Sequence, residues 1–465
     1  MTRRKLRVCF VHPDLGIGGA EMLVVNAAMS LVDREREVVI LTSHHDPKHC
    51  FHETLQDGKA PLSGMVKVHG DWIPRTLAGG RFIALCAIIR MTWVSLVVLA
   101  SSLIHALTFG AGGSRYDVIF VDQVSYVVPL LRLCGAPVLF YCHFPDKLLC
   151  TEEARAASAL KRMYRAPLDA AEEVTTGCAD MIMLNSKFTV SVFKTAFARL
   201  ARNESLVKRL RVLYPAIDLA QFDRALDAQA SEEAKRGLPS LPASAITLLS
   251  INRFERKKNL VLAIKALGKL KSLVDAKTFR RVHLILAGGY DERVAENVEH
   301  YKELEQAARD LSLEEKVHFV RSFTNDQRLV LMDACRAVVY TPDKEHFGIV
   351  PIEAMYAGCP VVAVASGGPL ESVVDQVTGY LKEGTPDAFA EAFAPLVDSA
   401  ETSSQMGKAG RSHVASKFSL RAFGDELDAA VADLAAVRTS ASYHASAAIV
   451  FGLAAAVAFI MMHSY

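Results

Sequence analysis

Two Rossmann-like α/β domains facing a cleft are the fold predicted for this chain, and three observations predict it. Short apolar runs of strand length alternate with helical patterns along the chain, the grammar of doubly wound parallel sheets. That grammar starts twice, near residues 7 and 246, on either side of a stretch at 221–244 that is rich in charge and carries Gly237, Pro239 and Pro242. Such a stretch reads as loop and linker. Finally, 465 residues exceed what one ordinary core holds, so two domains of roughly 200 residues each are expected.

In the first half, Arg7–Val11 reads as a strand that Gly16–Gly19 turns into a helix over Glu21–Leu31. Further strands are predicted at Glu37–Thr42, Tyr116–Val121, Val138–Cys142 and Met181–Asn185, and Tyr214 to Asp218 reads as the exit from the domain. The second half begins with a strand at Ile246–Ile251 and a helix over Asn259–Leu273. Strands follow at His283–Ala287, Val317–Val320, Ala337–Thr341 and Val361–Val364. The predicted domains are 1–220 and 221–438.

Two segments break the globular pattern. Met91–Phe109 runs 19 residues and Ala445–Met462 runs 18 residues without a formal charge, each long enough to cross a bilayer. Strands on both sides of the first belong to one sheet, so a crossing there would split that sheet. Residues 82–109, with Arg90 among them, are therefore expected to lie in or on a leaflet, or to wall a lipid-facing cleft, with an ordinary buried helix as the alternative. The second follows the whole α/β body and is expected to serve as a C-terminal anchor, 445–462. Elsewhere the bulk numbers exclude more than they include. Lys+Arg 53 against Asp+Glu 51 leaves a net charge of +2, with no general pull toward nucleic acid. Nine scattered cysteines show no zinc spacing and are expected to be reduced thiols facing the cytosol.

The chemistry concentrates at strand ends, where open α/β sheets bind ligands. Gly16-Ile-Gly18-Gly19-Ala-Glu21 ends the first strand and opens a helix, a place where free N–H groups and the helix dipole favour a phosphate. A dinucleotide fingerprint wants glycine where Glu21 stands and an acid ending the second strand, where Ile40-Leu-Thr-Ser43 has none, so a nicotinamide cofactor is disfavoured. The motif alone also fits a plain tight turn. Arg253-Phe-Glu-Arg-Lys-Lys258 follows the strand at Ile246–Ile251 and offers cations for a departing diphosphate without a metal; a solvated charge run is the bland alternative. Glu345 and Glu353 bracket a loop and the start of a helix, and paired carboxylates accept the hydroxyls of a sugar and a ribose. No Asp-x-Asp triplet occurs, which favours a metal-free donor site. His143 follows the strand at Val138–Cys142 and is a candidate polar contact, or a structural histidine.

Taken together these residues resemble glycosyltransferase family 4, the retaining two-domain GT-B class. Arg253…Lys258 and Glu345…Glu353 are its usual marks. The strings His12-Pro-Asp-Leu-Gly-Ile-Gly-Gly-Ala-Glu21, Tyr141-Cys-His-Phe-Pro-Asp146, Ser250 to Leu260, Ala287-Gly-Gly-Tyr-Asp-Glu-Arg293 and Glu345-His-Phe-Gly-Ile-Val-Pro351 are similar to the eukaryotic α-1,3/1,6-mannosyltransferase family of lipid-linked oligosaccharide assembly, over about residues 7–425. The resemblance implies GDP-mannose as co-substrate, no other cofactor, and a dolichyl-diphosphate-linked Man1GlcNAc2 acceptor on the cytosolic face of the endoplasmic reticulum membrane. An α-1,3 and then an α-1,6 mannose would be added. It implies an acceptor-binding N-terminal and a donor-binding C-terminal domain, with other early mannosyltransferases of the pathway as candidate partners. By the same resemblance Gly18 and Gly19 approach the donor phosphates, Arg253 and Lys258 hold the diphosphate, Glu353 the ribose and Glu345 the mannose, and His143 faces the transferring sugar. A family 4 transferase with another donor, a catalytically dead scaffold and a dehydrogenase are the rival readings, the last two opposed by the intact cations and acids and by Glu21.

Overall fold

The computed structural model describes residues 4–77, 82–109, 114–149 and 159–436. The expected anchor at 445–462 lies outside the described residues. The chain divides into two compact units, Met1–Tyr214 with Phe423–Tyr465, and Pro215–Ala422.

The first unit holds a seven-stranded sheet, all neighbours parallel. Its strands are β1 Arg7–His12, β2 Glu37–Thr42, β3 Val66–Val68, β4 Val118–Asp122, β5 Val138–Cys142, β6 Met181–Leu184 and β7 Leu210–Val212, in the order β3-β2-β1-β4-β5-β6-β7. The second holds a six-stranded parallel sheet in the order β10-β9-β8-β11-β12-β13. Here β8 is Ile246–Ile251, β9 Val282–Gly288, β10 Val317–Arg321, β11 Cys335–Tyr340, β12 Val361–Val364 and β13 Gly379–Lys382. In each sheet the order reverses at its first strand, beside β1 and β4 in one and β8 and β11 in the other. Helices above and below leave a crevice at such a point, which is where α/β sheets take their ligands.

The central strands were legible because they are buried on both faces and so apolar throughout. Leu248, Leu284, Ala337 and Val362 join helix residues in one core, and Cys9, Ile119, Val138 and Ile182 in another. β3, β7 and β13 escaped the reading: all three are short, and all lie at sheet edges, where half-exposed residues give no apolar run. The 221–244 stretch, expected as loop and linker, contains a helix at Ala228–Lys235, just after another at Leu219–Asp223. Asp227 and Asp218 cap their first turns by accepting from Ala230 and Ala220 N–H. The chain then returns to the first unit through its last described helix, where Asp425 and Asp428 meet Arg34 and Arg36 at 2.6 and 2.7 Å.

Helix α1 covers Gly19–Val32, and α2 covers Ile83–Phe109 in one continuous run. Cys86, Arg90, Met91, Val94, Ser95, Val98 and Ser102 are buried, with Met91, Val94 and Val98 packed into the first unit's core. Ile89, Trp93, Leu96, Leu103 and Leu107 recur at spacings of three, four and seven residues on the opposite side and are exposed. The helix is thus neither a bare span nor an ordinary buried helix. It packs by one stripe and shows an apolar stripe outward.

Candidate active site

At the crevice of the first unit three strand ends converge. Val11 pairs with Val121, so the next residues, His12 and Asp122, end β1 and β4 side by side; Asp122 pairs in turn with Tyr141, two residues before His143. His12 Nδ1 lies 2.7 Å from Asp122 Oδ1, and His143 Nε2 lies 2.9 Å from Asp122 Oδ2. The side chains of His12 and Asp122 are 0% exposed, and that of His143 is 25% exposed. Beyond His12, Glu21 Oε1 stands 3.8 Å from Nε2. Burial by itself would discharge His12, but the carboxylates of Asp122 and Glu21 outweigh it and push the imidazole up to about 10. Burial likewise opposes the charge on Asp122, yet the two imidazoles hold its carboxyl below the usual range. The result is a buried alternation of charge, Glu21, His12, Asp122, with His143 at its partly open end.

The loop carrying His143 is anchored on several sides. Glu172 accepts the N–H groups of Asp146 and Lys147 at 2.7 and 2.9 Å, Arg165 pairs with Asp146 at 3.0 Å, and Asn185 donates to the His143 carbonyl at 3.2 Å. Burial pushes the Glu172 carboxyl up to about 7. At the start of α1 the two glycines differ. A Cβ on Gly18 would stand 2.2 Å from Glu21 Oε2, whereas one on Gly19 would meet nothing within 4 Å. An anion approaching this helix end therefore finds a carboxylate beside Gly18 and open space at Gly19. A pocket of about 310 Å³ opens at the same end, lined among others by Asp14, Gly16, Glu21, His44, Asp46 and Arg75.

The second unit builds its crevice on close backbone approach. A Cβ on Gly288 would fall 1.7 Å from the Asn252 carbonyl oxygen, so only glycine lets the end of β9 lie against the segment leaving β8. Asn252 N–H donates to Ala287 at 3.0 Å and Phe254 N–H to Gly289 at 3.2 Å, and Phe254 is fully buried. Between these two fixed residues Arg253 points outward, 62% exposed, and pairs with Glu255 at 2.9 Å. The four cations of the run then part company. Arg256 is engaged by Glu299 and Glu303 at 2.9 and 2.6 Å, so it belongs to a surface network. Lys257 pairs with Glu255 at 3.1 Å. Lys258 turns inward: its carbonyl accepts from Thr341 at 2.6 Å, and its ammonium meets Glu345.

Glu345 sits in a cradle made by Ser366-Gly-Gly-Pro369. Gly368 N–H donates to the Glu345 carbonyl at 2.8 Å, and a Cβ on Gly367 would stand 2.3 Å from the same oxygen. Lys344 turns through φ +51° and donates its N–H to Ser366 Oγ at 2.9 Å. Burial resists the charge on Glu345, but the Lys258 ammonium prevails and keeps its carboxyl below the usual range. Glu353 lies one element on, in helix α3 (Ile349–Tyr356), where Arg328 Nη1 donates to Oε1 at 2.6 Å. Burial there dominates Arg328 and raises the Glu353 carboxyl. One carboxylate is thus held charged and the other, deeper one resists charge.

Of the residues singled out from the sequence, Lys258 and Glu345 meet at one crevice, Arg253 stands on the same segment leaving β8, Glu353 lies midway along the helix that follows Glu345, and His143, Gly18 and Gly19 share the other unit. The reading missed His12, Asp122 and Arg328, each of which holds a named residue or its neighbour. Only His12 carried a signal, as the first residue of the glycine-bearing string. Among the described residues no cluster of three or more His, Cys, Asp or Glu side chains is arranged to hold a metal ion.

Residues 17–221 match the family described as Glycosyltransferase Family 4, and residues 232–413 the family described as Glycosyl transferases group 1. The chain is 46% identical over 424 residues to the alpha-1,3/1,6-mannosyltransferase ALG2 of Mus musculus, covering 90% of this chain and 94% of that protein. It is 40% identical over 445 residues to the enzyme of the same name from Dictyostelium discoideum, covering 93% and 99%. Among solved structures, sucrose-phosphate synthase from Thermosynechococcus elongatus superposes with a TM-score of 0.64 at 20% identity, covering 93% of this chain and 100% of that one. Anabaena Alr3699/HepE in complex with UDP does so with a TM-score of 0.64 at 18% identity, covering 92% and 100%. Those two likenesses speak for the fold alone.

Proposed function

The chain belongs to the alpha-1,3/1,6-mannosyltransferases of glycosyltransferase family 4, and on that premise we propose that it transfers mannose from GDP-mannose to Man1GlcNAc2-diphosphodolichol. An α-1,3 and then an α-1,6 linkage is made, giving the Man3 intermediate of N-glycan precursor synthesis. The observation that carries the reading is the Lys258–Glu345 pair at the β8/β11 crevice. It supplies what a nucleotide-sugar site needs, a cation for the leaving diphosphate beside an ionised acceptor for sugar hydroxyls.

In this scheme Arg253 and Lys258 balance the charge that grows on the diphosphate, and Glu345 holds the mannose and steadies its positively polarised ring. Glu353, steadied by Arg328, takes the ribose. Gly18 and Gly19 admit the phosphates, by way of the open Gly19 side, and His143 faces the transferring sugar. The bond from the mannose anomeric carbon to the diphosphate oxygen breaks, and a bond to the acceptor hydroxyl forms on the same face. The departing phosphate takes the hydroxyl proton, and GDP leaves. Catalysis is then positional and electrostatic, with no metal required. The acceptor sugars are assigned to the first unit, whose pocket presents carboxylates to hydroxyls. The outward apolar stripe of α2 is assigned to the cytosolic leaflet of the endoplasmic reticulum membrane, lying in its plane.

The deciding experiment incubates purified protein with GDP-mannose and the lipid-linked acceptor, alongside UDP-glucose and UDP-N-acetylglucosamine. Two successive mannose increments with α-1,3 and α-1,6 linkages are expected from GDP-mannose alone; transfer from a UDP-sugar instead would overturn the donor assignment.

A further inference from the structure

We propose that Asp122 is a positioning residue for sugar transfer: it sets the tautomer and the aim of His143, as the buried link between His12 and His143 in the series Glu21, His12, Asp122, His143. The inference rests on the reading of His143 as the group that faces the transferring sugar.

The geometry leaves Asp122 little else to do. Both carboxylate oxygens are used, Oδ1 by His12 and Oδ2 by His143, and the side chain is wholly buried. An ionised carboxylate only accepts hydrogen bonds, so Nε2 of His143 must carry its proton toward Asp122. The tautomer with its hydrogen on Nε2 presents Nδ1 as a lone pair, fit to accept from a sugar hydroxyl. The ring is fixed from a second side by the edge of Tyr141, 4.8 Å between centroids.

The backbone at Asp122 is also specialised. Gln123 adopts φ +59°, a left-handed conformation that a residue with a long side chain enters at a cost, and Val124 N–H turns back to the Asp122 carbonyl at 2.6 Å. A strand end that only closed a loop would gain nothing from that turn. Here it halts β4 with the carboxylate between two imidazoles. A purely structural role, neutralising His12, would use one oxygen. The second oxygen, aimed at the partly open histidine, is the part that role does not explain.

The test compares Asp122→Asn, His143→Ala and the double variant, with kcat and KM for both mannose additions. Asparagine keeps the shape but offers an N–H to one imidazole, which reverses the tautomer at that ring. Asp122→Asn is expected to lower kcat on the order of 10²-fold while the KM for GDP-mannose moves less than about threefold. In the His143→Ala background it should lower kcat no further, since the two residues act as one unit. If Asp122→Asn leaves the His12 imidazolium unsupported and the protein fails to fold, His12→Gln/Asp122→Asn removes that cation, and its further loss over His12→Gln alone, with and without His143, replaces the comparison. An equal drop in kcat with and without His143 would overturn the proposal, as would an unchanged kcat in Asp122→Asn. Full activity in His143→Ala would instead show that the reading of His143 is at fault, and the positioning role would go with it.

Discussion

Lys258→Ala perturbs two things at once, and the structure separates them. The lysine is 14% exposed and its partner Glu345 23% exposed, so the pair is largely but not wholly removed from water. A hydrogen bond between charged groups is worth about 2 kcal/mol in such a setting, so the second unit should lose about that much stability. For a unit of its size the melting temperature would drop by roughly 4–8 °C. Loss of a cation that acts on the departing diphosphate costs about 3 kcal/mol more in the transition state, or on the order of 10²-fold in kcat. A third effect identifies the pair. With Lys258 gone, burial is left as the dominant influence on Glu345, and its carboxyl rises above the ordinary range instead of lying below it. The variant should therefore lose activity more steeply than the parent as pH falls toward 5, because in the parent Lys258 keeps Glu345 ionised there. Initial rates across pH 5–8 with GDP-mannose and lipid-linked acceptor, together with thermal melts, measure all three. Lys258→Arg, which keeps the charge, should recover much of the rate. If Lys258→Ala stays within a few-fold of the parent at every pH, Lys258 is surface charge and the site is misassigned.

The acids should respond differently from each other. Glu345→Gln is expected to lower kcat for both mannose additions together, and Glu353→Gln to raise chiefly the KM for GDP-mannose, because a ribose contact is made equally in ground and transition states; loss of one linkage alone in Glu345→Gln would refute a shared donor site. Transfer should persist in EDTA, since the chain has no Asp-x-Asp triplet and brings its own cations to the strand ends, and activity lost in chelator but restored by Mg²⁺ or Mn²⁺ would contradict this. His12 has a folded pKa of about 10, above its unfolded value, so its stabilisation is complete below about pH 6.5 and is lost as pH rises toward 10. Melting temperatures of the parent should fall across that alkaline window, and those of His12→Gln should fall less. On α2, Leu96→Gln with Leu103→Gln should weaken binding to phospholipid vesicles at least about tenfold without changing the melt, since each leucine forfeits roughly 1.5–3 kcal/mol of apolar burial and neither packs inward.

Much of this protein was written locally. The strands buried on both faces are continuous apolar runs, so β1, β4, β5, β8 and β12 could be placed by eye, and the doubled grammar set the fold class. Glycines and acids at strand ends marked both crevices, because a ligand can reach an open α/β sheet only there. What the tertiary structure decided are the relations between side chains that sequence keeps far apart. Lys258 and Glu345 were named for separate tasks, yet they neutralise each other across 87 positions, and Arg328 reaches Glu353 from another helix. Arg256 looked like its neighbours until Glu299 and Glu303 claimed it. Asp122 carries no motif at all; its meaning comes from sheet order, which sets β4 between β1 and β5 and so puts one carboxylate between two histidines separated by 131 residues in the chain. Backbone hydrogen bonding and hydrophobic periodicity are short-range and repeat along the chain, so they can be read from it. Charge pairing depends on which strand ends become neighbours, and only the packed sheet determines that.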